Sequence, residues 1–151
     1  MKLRTDFVTN SSSSNYVVIG KSGKLELEGT YKGRPFDIGE EGHSEFGWEV
    51  RKYKSVYDRI NFAALQVMGE ERYSHSKNML YALIKKHTGA TEVNCILSDK
   101  YNPPGGCIWG YIDHQSTIAE GENTEIFASK ETLKSFLFDE DSYIQGGNDN
   151  E

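Results

Sequence analysis

The run Tyr16-Val17-Val18-Ile19 opens the apolar pattern of this chain and predicts a buried strand, being rich in β-branched residues. After a turn at Lys21–Lys24, the segment Lys24-Leu25-Glu26-Leu27-Glu28 alternates, which predicts a second strand with Leu25 and Leu27 facing the core and a hairpin joining the two. Residues 29–47 carry Gly29, Gly33, Pro35, Gly39, Gly42 and Gly47, a density that forbids a long helix and predicts an extended loop. The period then changes. Ser55 with Asp58 three residues on fits a capping box, and Tyr57, Ile60, Ala64, Val67 and Met68 make one apolar stripe that Gly69 ends. A second helix is predicted from about Ser74 to His87. Met79, Leu80, Leu83 and Ile84 are its buried face, Lys85, Lys86 and His87 fill its last turn, and Gly89 is its left-handed cap. The short link predicts an antiparallel helix pair.

Alternation returns in Thr91–Ser98, with Val93, Cys95 and Leu97 on one face. Asn102-Pro-Pro-Gly-Gly106 predicts a turn and Cys107–Ile112 a returning strand, which would bring Cys95 near Cys107. Glu125–Phe127 reads as a short strand, Ser129 as the cap of a third helix with Leu133, Phe136 and Leu137 inward, and Ser142–Gln145 as a last short strand. The fold class expected is α+β, an antiparallel sheet packed against two or three helices in a single domain over 15–145. Residues 1–14 read as a flexible arm and 146–151 as a polar C-terminal tail.

Composition narrows the function classes. The chain has 151 residues and a net charge of −6, with an isoelectric point near 5.3. An acidic surface with its acids scattered among lysines and arginines lacks the basic stripe that displaces counterions from nucleic acid, does not present the single carboxylate face of a DNA mimic, and fits an anionic membrane poorly. No apolar run reaches the length of a spanning helix, and no apolar region follows Lys2 and Arg4 as in a secretory leader. A cytoplasmic protein is expected, with Cys95 and Cys107 reduced. Neither lies in a CxxC, and P-loop, GxSxG and GxGxxG patterns are absent.

The N-terminal Phe7-Val-Thr-Asn-Ser-Ser-Ser-Ser14 and the internal Gly110-Tyr-Ile-Asp-His-Gln-Ser116 resemble motifs of a family of small, functionally uncharacterised proteins of Gram-positive bacteria and their phages. That resemblance implies no mechanism.

Candidate chemistry sits in two places. Asp113 and His114 follow the strand ending at Ile112. Adjacent side chains on a strand point to opposite faces, so the two can act together only in the loop beyond it, as catalytic acid–base residues or as ligands of zinc or manganese. The other place is His43-Ser-Glu-Phe-Gly-Trp-Glu49, where His43, Glu45 and Glu49 are candidate ligands and Phe46 and Trp48 anchor the loop. Trp48, Trp109 and Tyr111 are candidate binding aromatics, and Gln115, Asn148 and Asp149 complete the binding candidates. His75 and His87 read as helix-surface residues. No cofactor is predicted; a divalent metal is the open alternative. Three readings follow: a non-enzymatic protein-interaction module with a protein partner or itself, a metal-dependent hydrolase or nuclease using Asp113 and His114, and a small-molecule binder lined by the aromatics.

Overall fold

The computed structural model describes residues 13–47, 49–69, 75–112 and 126–148. In chain order the elements are β1 (Ser13–Val18), β2 (Phe36–Ile38), β3 (Glu45–Phe46), β4 (Arg51–Tyr53), α1 (Val56–Gly69), α2 (Lys77–Thr88), β5 (Val93–Cys95), β6 (Leu97–Ser98), β7 (Ile108–Trp109), β8 (Tyr111–Ile112), α3 (Lys130–Phe138) and β9 (Tyr143–Asn148). This is a mixed α+β chain in one small domain, with its strands divided among small sheets rather than gathered in one.

The largest sheet has three strands in the order β1-β9-β4, both pairs antiparallel. Ile144 stands between Val17 and Tyr53 in register, and all three are buried. That buried row fixes the register, because a one-residue slip would turn each side chain to the opposite face. Two boundaries differ from the sequence reading. β1 begins at Ser13, inside the expected arm, and β9 runs to Asn148, inside the expected polar tail, with Ser13 opposite Asn148 and Asn15 opposite Gly146. Backbone N–H and C=O groups make such a ladder whatever the side chains. Serine, asparagine and glycine therefore extend it without leaving an apolar signal.

The remaining sheets are two-stranded and parallel: β2 with β5, β3 with β8, and β6 with β7. Both expected hairpins are corrected. Residues 26–28 form turns, with Leu27 at φ 66°, and Leu25 makes a single antiparallel bridge to Asp139. Glu26 N–H donates to Phe138 O, and Glu140 N–H donates to Lys24 O, so this segment lies on the end of α3 rather than beside β1. The two leucines still pack against the core. Beyond Pro103 and Pro104 the chain does not fold back antiparallel, and Leu97 pairs with Ile108 in parallel. Ile96 is where partners change: its N–H donates to Ile38 O and its carbonyl accepts from Ile108 N–H. The predicted strand over 91–98 is thus divided into β5 and β6. The loop over 29–47 contains β2 and β3. Ile126 and Phe127 lie in a turn rather than a strand, with Ile126 buried.

Helix α1 is the centre of the fold. The stripe read from its sequence is real, but Asp58, Arg59, Asn61, Phe62, Ala63, Leu65 and Gln66 are buried as well. A helix enclosed all round needs polar partners in the interior, and α1 finds them. Arg59 is 0% exposed. Its Nε donates to Leu137 O (3.1 Å), Nη1 to Lys54 O (2.7 Å) and Ser142 O (3.0 Å), and Nη2 to Glu26 Oε1 (2.6 Å). One guanidinium ties four separate segments to α1. Asp139 closes the same end, accepting from Gly23 N–H, Asp141 N–H and Ser22 Oγ, each at 2.9 Å. Burial pushes its carboxyl up, but these bonds together outweigh that and hold it below the ordinary carboxylate range.

The outer helices match their local signals. α2 buries Leu80, Leu83 and Ile84, carries Lys85, Lys86 and His87 in its last turn, and ends at Gly89 with φ 83°. α3 is capped by Ser129, whose Oγ accepts from Thr132 N–H at 3.0 Å. His87 departs from its surface reading. Its ring lies against Phe138 with centroids 4.0 Å apart, and Nε2 is 2.8 Å from Glu26 O.

Candidate functional site

The glycine-rich loop reaches α1 at Gly42. Its φ is +86°, and a Cβ there would lie 2.9 Å from Asp58 Oδ1 and from the Tyr57 carbonyl carbon, so only glycine brings the backbone this close. The approach puts His43 on Asp58. The His43 backbone N–H donates to Asp58 Oδ1 at 2.6 Å, and ring Nδ1 lies 3.0 Å from the same oxygen. Asn61, one turn along α1, donates from Nδ2 to Glu41 O and His43 O, both at 2.8 Å. Asp58 was expected as the acid of a capping box with Ser55 at the cap; it is instead a 3% exposed anchor for this loop. At the cap itself, Ser55 Oγ accepts from Tyr57 N–H at 3.1 Å.

The far side of the His43 ring faces Arg51, whose Nη1 is 2.6 Å from Nε2, while Arg51 Nη2 pairs with Glu49 at 3.0 Å. With Nδ1–H donated to Asp58 and Nε2 accepting from the guanidinium, the bonding pattern is that of a neutral imidazole. Tyr53 meets the ring edge-on at 5.3 Å. Burial raises the Tyr53 phenol above its ordinary value, partly opposed by the Arg51 charge. The cavity beside this cluster, about 370 Å³, is lined by Gly42, His43, Ser44, Glu45, Glu49, Arg51 and Tyr53. An Asp–His pair can orient a general base, but here Arg51 occupies the nitrogen that would take a proton. Asp58 and Arg51 were not singled out as site residues from the sequence. Asp58 carried a capping signal, and Arg51 carried none.

The second feature is aromatic. Trp109 and Tyr111, on β7 and β8, flank Gly110. A Cβ at Gly110 would sit 2.7 Å from Leu65 Cδ2, so the strand lies flat against α1 on that side. Alternation then sends Trp109 and Tyr111 to the face turned away from Leu65. Their rings stack at 5.6 Å and 24°. Tyr101, which is 77% exposed, meets Trp109 edge-on at 5.5 Å. Nothing in the sequence pointed to Tyr101. The two features adjoin: Glu45, which lines the cavity, is the register partner of Tyr111, and Tyr111 N–H donates to Ser44 O at 2.7 Å.

Of the residues proposed from the sequence, His43, Glu45 and Glu49 come together around the cavity, and Trp109 and Tyr111 stack. Asn148 is the last residue of β9, with its backbone opposite Ser13. Trp48, Asp113, His114, Gln115 and Asp149 lie outside the described residues. Among the described residues no three His, Cys, Asp or Glu side chains converge as a metal site. Cys95 and Cys107 are unbridged, and burial pushes the Cys95 thiol up, away from the reactive thiolate. No helix among the described residues is long and apolar enough to cross a membrane.

The chain matches no protein-family model, no curated protein and no solved structure.

Proposed function

We propose that this chain is a non-enzymatic protein-interaction module whose contact surface is the strip Tyr101–Trp109–Tyr111. The observation that carries this reading is the contact of these rings with one another on the face turned away from α1, with Trp109 stacked on Tyr111, Tyr101 edge-on to Trp109 and Tyr101 largely exposed. A large aromatic left outside the core contributes nothing there, whereas Tyr and Trp dominate binding energy when a partner covers them. Their mutual stacking already restricts the rings, which lowers the entropy lost on docking. The chemistry around His43 favours the same reading, since both ring nitrogens hold the loop in place. The acidic balance of the chain speaks against nucleic acid as the partner.

A photo-crosslinking amino acid at position 101, in protein expressed in bacterial cells, tests this. A discrete adduct is expected, either with a second protein or with another copy, and Trp109→Ala should abolish it without unfolding the chain. Absence of any adduct, or an adduct indifferent to Trp109→Ala, would overturn the proposal.

A further inference from the structure

A second surface lies on the helical side of the molecule. On α2, Asn78, Met79, Ala82, Leu83 and Lys86 recur at one-turn spacing and form one face of a groove of about 760 Å³. The other wall is the start of α3, with Lys130, Glu131 and Lys134, and Glu28 and His87 complete the lining. Met79, Ala82 and Leu83 make the floor apolar. Leu83 is buried and Met79 packs against the core, so the floor is rigid.

The rim is basic in a chain that is acidic overall. Among the described lining residues the carboxylates beside Lys86, Lys130 and Lys134 are Glu28 and Glu131, and among the described residues no ion pair engages any of the three lysines. Lys130 is also the first residue of α3, where the helix dipole adds to the positive potential. An apolar floor between two helices with lysines on both walls matches one kind of ligand. It suits a short amphipathic helix that sets aliphatic side chains on the floor and places carboxylates against the lysines.

We infer that the α2–α3 groove is a docking site for an acidic amphipathic helix of a partner protein. The surface is separate from the aromatic strip and does not depend on it. Simple anions would be attracted by the lysines but would leave the apolar surface of Met79 and Ala82 uncovered. A wholly apolar peptide would leave the ammonium groups on the rim without partners. The occupant therefore carries both features, with carboxylates flanking its apolar positions.

Selection of a random peptide library on the full-length protein tests this, followed by fluorescence anisotropy with the enriched peptides. Enriched peptides should combine Asp or Glu with Leu, Ile or Phe at helical spacing. Their affinity should fall at least about tenfold in Lys130→Glu/Lys134→Glu and weaken with added salt. Both lysines are exposed, so this variant should keep the wild-type melting temperature. Trp109→Ala should leave the binding unchanged, which separates the groove from the strip. Enriched peptides without carboxylates, or equal binding to the lysine variant, would overturn the assignment. So would a wild-type protein that enriches nothing.

Discussion

Asp58 and Arg59 are consecutive on α1, both buried and both charged, yet they serve different ends of the molecule. Arg59 spends its donors on the carbonyls of Leu137, Lys54 and Ser142 and on Glu26. Three of its four partners are backbone groups whose position the fold itself sets. Asp58 holds His43, whose side chain is 49% exposed and whose other ring nitrogen meets Arg51 at the surface. A buried charge closed by main-chain carbonyls is a structural rivet. A buried charge whose partner reaches solvent anchors a surface loop to the core. The two adjacent residues thus separate the interior scaffold of this protein from the attachment of one surface loop.

The contrast predicts unequal losses. Arg59→Met should destabilise the chain by about 3–5 kcal/mol in chemical denaturation, because buried carbonyls on three segments lose their donor together. A loss no larger than that of Asp58→Asn would erase the distinction.

Asp139→Asn, at the same closed end, should cost about 1.5–3 kcal/mol at neutral pH, since hydrogen bonds to a charged group are lost. Its folded carboxyl titrates below the ordinary value of 3.8. The charged form therefore contributes stability fully above that value, and the contribution fades as pH falls through the lower folded value. The gap between wild type and variant should accordingly shrink on acidification, as measured by denaturation across a pH series. A gap that widened in acid would reverse the assignment.

Asp58→Asn should cost less, about 1–2 kcal/mol, and its effect should be local. Hydrogen exchange should quicken at residues 41–43 while the amides of β9 stay protected. Spread of the change to β9 would mean that the loop and the three-stranded sheet open as one unit.

The smallest effect should come from Arg51→Ala. An exposed pair of this kind contributes about 1 kcal/mol or less. Stability should hardly move, but Nε2 of His43 loses its cover. Diethyl pyrocarbonate should then modify His43 faster than in the wild type, as read by mass spectrometry of the modified peptide. An unchanged rate would show that Arg51 does not shield the ring.

What the sequence shows well here is local. The Ser129 cap, the Gly89 stop and the buried face of α2 each rest on residues within a turn or two of one another, and each was legible. The candidates His43, Glu45, Trp109 and Tyr111 were also legible as residue types, since loop histidines and strand aromatics stand out from a polar background. Their arrangement was not. Tyr101 joins Trp109 only because β6 and β7 pair in parallel and set the intervening loop beside the strip. Asp58 read as the acid of a capping box because a serine precedes it by three residues. It turned inward because Gly42 lets the loop backbone come within reach of its carboxylate.

The sequence by itself determined the α+β class, the three helices and the residues at their ends, because helix hydrogen bonds close within four residues of the same chain. Tertiary structure alone decided the strand partners. β2 pairs with β5 across two helices, β1 and β9 join the two ends of the described chain, and Ile96 divides its bonds between Ile38 and Ile108. A strand satisfies its backbone with whichever edge the rest of the fold presents, and side-chain alternation records which face is buried but not which neighbour lies alongside.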